Sequence, residues 1–183
     1  MEKQTPTEFT PGTAVVYGML GKCSITSVEN REINGETIRF YKLEVQKSAL
    51  SRSTRQEPAI WIPVASARER GLRPVMTKVD ADNVLSILSN REYYFPVNEP
   101  WSVTQPKLEA CIRAEGSVGL AKVNSFLYVV KRKQIVPATE VTKFHESVNK
   151  LMLRELSEIL NEPVRALDER INKMLRQKMI PDS

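Results

Sequence analysis

The chain has 183 residues, 41% of them hydrophobic and 27% charged, the balance of a soluble globular protein and not of a disordered or membrane-embedded one. No run of roughly 18 apolar residues is present, and the polar start Met1-Glu2-Lys3-Gln4-Thr5-Pro6 lacks the apolar core of a secretory signal, so the expected location is cytoplasmic, with no membrane partner. The net charge of +5 is unevenly placed: residues 1–100 carry 13 Lys/Arg against 12 Asp/Glu and residues 101–183 carry 14 against 10, so contact with phosphates is expected of the C-terminal part.

From Phe9 to about Val75 short apolar runs alternate with turn residues. Ala14–Tyr17 follows Pro11-Gly12, Ser24–Val28 follows Gly21, and Asn34-Gly35 signals a two-residue hairpin between Arg31–Ile33 and Thr37–Tyr41. Leu43 and Val45 continue the last of these in alternation. Ala59–Val64 reads as a further strand ended by Pro63, which suits an edge or a chain exit. Between the third and fourth strands, Lys47–Pro58 is poor in apolar residues and predicts a long loop with three basic side chains. Four or five short strands are too few for a two-sheet sandwich and predict a small, strongly bent sheet or barrel.

Beyond Gly71-Leu72-Arg73-Pro74 the period changes. Asp80 is placed to cap a helix through Val84, Leu85 and Leu88, and the Pro-rich run Phe95–Pro100 ends regular structure. Lys107–Glu115 and Val118–Lys133 read as helices parted by Gly116, the second with Leu120, Val123, Leu127 and Val130 on one apolar face. Pro137-Ala138-Thr139 opens a long amphipathic helix through Ile159, its stripe broken by Glu155. Asn161-Glu162-Pro163 is expected to cap a last helix carrying Val164, Leu167, Ile171 and Leu175. Strands followed by helices predict an α+β chain of two domains, 8–75 and 76–183.

Enzyme chemistry has little to rest on. Cys23 and Cys111 lie far apart without CxxC spacing and are expected to be buried or half-buried free thiols. The single histidine, His145, sits on a helix face with no second ligand for a metal. Gly18-Met19-Leu20-Gly21-Lys22-Cys23 is too short between its glycines for a phosphate loop, and no GxSxG elbow is present. A non-enzyme with no cofactor, metal or small-molecule ligand is expected.

Six fragments in order, Phe9–Tyr17, the Gly18/Gly21 pair, Ile33-Asn34-Gly35-Glu36, Phe40-Tyr41-Lys42-Leu43, Ile62-Pro63-Val64 and Gly71-Leu72-Arg73-Pro74, resemble the N-terminal module of bacterial CarD/CdnL-type transcription regulators. The polymerase-interacting domain of transcription-repair coupling factors shares that module. The helical remainder, with Trp101 ahead of a helix, resembles the CarD C-terminal domain, so the likeness covers nearly the whole chain. It implies a Tudor-like domain that pairs an exposed strand with the β-subunit lobe of RNA polymerase, followed by a helical domain of about five helices lying on promoter DNA at the upstream edge of the bubble. The implied polymerase-binding residues are Arg31, Ile33 and Trp61, the last standing near a position where relatives often have a basic side chain. Trp101 is the implied minor-groove wedge, with Lys107, Lys122, Lys131, Arg132 and Lys133 as phosphate contacts. Relatives follow the tryptophan with arginines, whereas this chain reads Ser102-Val103-Thr104-Gln105-Pro106-Lys107. The resemblance implies a transcription regulator that stabilises the open complex and is nucleoid-associated through polymerase. The alternative is a polymerase-binding adaptor without DNA function.

Overall fold

The computed structural model describes residues 8–46, 58–90, 95–96, 98–133 and 138–178. The expected loop at Lys47–Pro58 lies outside them except for Pro58. The chain forms two compact units, Met1–Val75 and Met76–Ser183, a sheet and then five helices, in an α+β arrangement.

In the first unit, β1 (Ala14–Tyr17), β2 (Gly21–Ile33), β3 (Glu36–Val45), β4 (Ile60–Pro63) and β5 (Leu72–Pro74) pair antiparallel in the order β4-β3-β2-β1-β5. The ladder is open, with β4 and β5 at its edges. The runs expected as two strands, Ser24–Val28 and Arg31–Ile33, are one strand. Its register slips between Ile25↔Leu43 and Ser27↔Lys42, leaving Thr26 as a bulge whose hydroxyl donates to the Lys42 carbonyl at 3.2 Å. That extra residue lets Ile25 and Val28 both face the core although they are three apart, and sends Ser27, Glu29, Arg31 and Ile33 to the opposite face. The strict alternation a sequence reading relies on is broken there. Asn34 (φ 52°) and Gly35 (φ 81°) close the hairpin with the two left-handed residues a type I′ turn requires. β5 escapes a sequence reading because three residues ending in proline are too few to show a period.

The sheet buries Val15, Cys23, Ile25, Tyr41, Leu43, Ile62 and Leu72 on one side. Glu8 and Phe9 strap that side. The Phe9 N–H donates to the Tyr41 hydroxyl at 3.0 Å, their rings meet edge to face at 6.0 Å, and Glu8 pairs with Arg39 at 3.1 Å.

In the second unit, α1 (Lys78–Ser89), α2 (Trp101–Glu115), α3 (Ser117–Lys133), α4 (Thr139–Leu160) and α5 (Val164–Lys178) pack around α3. α1 is capped by Thr77 and not by Asp80: the Thr77 hydroxyl accepts from the Asp80 N–H at 3.2 Å while the Asp80 carboxylate accepts from the Thr77 N–H at 2.8 Å, a reciprocal capping box. α2 begins at Trp101, six residues before the expected Lys107, and carries Pro106 inside it. At the sixth helical position Pro106 forfeits its own bond to the Ser102 carbonyl and its ring crowds that oxygen, yet the helix runs through it. Asn161, expected to cap α5, instead closes α4 in the left-handed conformation (φ 52°).

α3 is buried almost all round from Gly119 to Val130, not on one face. One side joins Ala121 and Tyr128 to Met152, Leu156, Leu167, Ile171 and α1; the other joins Leu120, Val123, Phe126, Leu127 and Val130 to Leu108, Ile112, Val141, Val148 and Leu151. Gly119 lets α2 approach, since a Cβ there would lie 2.5 Å from the Cys111 carbonyl oxygen. Glu155, which interrupts the apolar stripe of α4, is buried with it at 8% exposure.

Candidate functional site

The sheet side opposite the core brings together the three residues assigned to a polymerase contact. On β3 the even-numbered residues Ile38, Phe40 and Lys42 face this way, with Arg31 in register with Ile38 and Trp61 in register with Lys42. The Arg31 guanidinium carbon stands 3.3 Å from the centroid of the Trp61 indole, and the Lys42 ammonium is 5.7 Å from the same ring. One flat aromatic thus carries two cations, which its quadrupole attracts. Ile33, 42% exposed, continues the row at the hairpin tip.

Beside this row lies a sheet edge. β1 pairs with β2 only from Gly21 to Ser24, and the Gly12 and Thr13 backbone extends the contact to Ile25. From Thr26 to Ile33, β2 has a strand partner on the β3 side alone among the described residues. The length of β2 relative to β1 therefore exposes a row of backbone donors and acceptors next to Arg31 and Ile33.

The residues assigned to DNA are not gathered in one place. Trp101 opens α2, is half-buried, and packs edge-on against Phe144 of α4 at 5.7 Å between centroids. Its indole N–H is buried without a hydrogen-bond acceptor. Lys107 pairs with Glu99 at 2.7 Å and Lys122 pairs with Glu115 across the α2–α3 turn. Each must leave a carboxylate before it can meet a phosphate. Lys131, Arg132 and Lys133 form the end of α3, where Arg132 lies 5.3 Å from the Tyr128 ring centroid.

A polar chain through the helical unit was missed by the periodicity, although Asn124 inside the apolar run Leu120–Val130 is its visible trace. Asn149 Nδ2 donates to Asp168 Oδ1 at 3.1 Å, and Asn124 Nδ2 donates to Asn149 Oδ1 at 2.9 Å. Asn124 Oδ1 is thereby left as an acceptor, so His145 Nε2, 3.4 Å away, is the donor and carries the ring proton. Burial first, and the Lys131 charge second, lower the His145 pKa from 6.5 to about 4, against a smaller opposing pull from Asp168, so the ring is neutral at pH 7. Cys23 is buried and Cys111 half-buried, both as free thiols. Burial and the Glu115 carboxylate raise Cys111 to about 11, which keeps the thiol protonated and a poor nucleophile.

Among the described residues no cluster of His, Cys, Asp or Glu could hold a metal ion, and no helix is long and apolar enough to cross a membrane. Compared with known proteins, the sequence matches no family model and no curated protein.

Proposed function

We propose that this chain is a transcription regulator of the CarD type, binding the β subunit of RNA polymerase through its sheet unit and stabilising the promoter open complex through its helical unit. The observation that carries the reading is Arg31 stacked on Trp61 beside the Thr26–Ile33 edge of β2. An unpaired edge offers backbone hydrogen bonds to an added strand, and a Trp–Arg pair beside it supplies the type of side chains that dominate interface energies. The Tudor-like identity of the sheet, the cytoplasmic location and association with the nucleoid belong to the same proposal. The activity is binding, without a catalytic step or cofactor.

For the helical unit, the tryptophan wedge requires Trp101 to turn from Phe144 onto a partly unstacked base step. Such a contact is worth about 1–3 kcal/mol by analogy with base–aromatic stacking. A second reading, a polymerase-binding adaptor without DNA function, is favoured by the Trp101–Phe144 packing and the Lys107–Glu99 and Lys122–Glu115 pairs. Promoter open-complex lifetime with Trp101→Ala separates the two, with polymerase binding and helical circular dichroism checked in parallel. A shortened lifetime is the outcome of the wedge; an unchanged lifetime with intact polymerase binding leaves the adaptor.

A further inference from the structure

A notch of about 270 Å³ opens where three helices of the second unit meet, lined by Tyr128, Lys131 and Arg132 of α3, His145 of α4 and Asn172 of α5. Among the described residues neither Lys131 nor Arg132 is paired with a carboxylate, in contrast to Lys107 and Lys122. Arg132 is held over the ring of Tyr128, itself a wall of the notch. The Tyr128 side chain is 6% exposed and its hydroxyl has no hydrogen-bond partner. The hydroxyl itself is buried, so Tyr128 gives the notch a wall and the donors open to a ligand are those of Lys131, Arg132 and Asn172.

We propose that this notch binds one phosphate group, held by the Lys131 ammonium, the Arg132 guanidinium and the Asn172 amide, with the His145 imidazole beside it. A phosphate carries only acceptors and negative charge, while the two cations and the amide N–H₂ are donors converging from two helices. Asp168 of α5, which acts on His145, opposes an anion here, but its Oδ1 already accepts from Asn149. The negative end of the α3 dipole also opposes an anion here, but it amounts to about half a charge against two full ones. The phosphate has two possible sources, a phosphodiester of a DNA backbone or a small organophosphate. The first would supply the helical unit of the proposed regulator with its cationic grip, in place of Lys107 and Lys122. The second would be a ligand site independent of DNA.

His145 is the chain's single histidine, so its imidazole resonances report on this notch without ambiguity. The test follows them by NMR in the full chain through a pH titration, with inorganic phosphate in one arm and a short DNA duplex in the other, ionic strength being held constant with sodium chloride. An anion placed beside the ring favours the imidazolium, against Lys131 and together with Asp168. The His145 midpoint is therefore expected to rise by about 1 unit on binding. Lys131→Gln and Arg132→Gln should each reduce the rise, and together abolish it, with helical circular dichroism unchanged. A response to both probes supports the notch and assigns it to the DNA backbone. A response to phosphate alone supports the notch and counts against the DNA half of the proposed function. No response to either, an equal response to chloride, or a response that persists in the double variant overturns the proposal.

Discussion

Gly119 sets how close α2 comes to α3, and replacing it tests the packing of the helical unit. A Cβ at this position would lie 2.5 Å from the Cys111 carbonyl oxygen and 2.9 Å from both the Cys111 carbonyl carbon and the Ile112 Cα. All three are backbone atoms, so no side chain can swing aside, and the helices must separate by roughly 1 Å to restore ordinary contact in a close-packed interior. Two effects compete. Alanine favours the helix over glycine by about 1 kcal/mol. Overpacking costs about 1–3 kcal/mol, and the separation also loosens Leu108 and Ile112 against Leu120 and Val123. The backbone clash outweighs the propensity gain, so Gly119→Ala should destabilise the helical unit by about 1–2 kcal/mol, and Gly119→Val by more. Urea unfolding followed by helical circular dichroism reads this as a lower midpoint at unchanged slope. A Gly119→Ala protein as stable as the parent, or more so, would refute the close approach.

Thr77→Ala removes the side-chain half of the capping box of α1, leaving the Asp80 carboxylate on the backbone N–H of residue 77, and should cost about 1 kcal/mol in urea unfolding, whereas Thr77→Ser should cost little. His145 has a folded pKa of about 4 against 6.5, so between those values the unfolded chain takes up the proton first. Stability is therefore constant above pH 6.5 and falls by up to about 3 kcal/mol as pH drops to 4, a contribution that His145→Gln should remove from the measured pH profile. A double-mutant cycle on Arg31→Ala and Trp61→Ala should return a coupling of about 0.5–1 kcal/mol in the stability of the sheet unit, the range of an exposed cation–π pair.

The elements with a clean period were legible in the sequence: the Asn34-Gly35 hairpin, α4 with its apolar stripe, and the change from strands to helices near Val75. What escaped did so for local reasons. The Thr26 bulge hid the continuity of β2, and with it the long unpaired edge, because one inserted residue inverts the facing of everything after it. The helix was read from Lys107, after Pro106, which placed Trp101 ahead of a helix when it is the first residue of one. The burial of α3 on every side was masked by Asn124 and Ser125, two polar residues in its most enclosed stretch. At the site, the sequence named Arg31, Ile33 and Trp61 individually but could not bring them together, since Trp61 reaches Arg31 only through the β4–β3–β2 register. Positive charge is carried to the Trp61 ring by Lys42 from the adjacent strand β3 and by Arg31 from β2 beyond it. The Lys107–Glu99 ion pair depends on the start of α2, which was expected six residues later.

The most direct test of the account is binding of the purified full chain to core RNA polymerase and to its isolated β lobe, with the parent protein beside Arg31→Glu. The account predicts that the parent binds both, and that the charge reversal, by lifting the guanidinium from Trp61 beside the β2 edge, abolishes binding while leaving the sheet folded. A parent chain that binds neither, or an Arg31→Glu protein that binds as tightly as the parent, would contradict it.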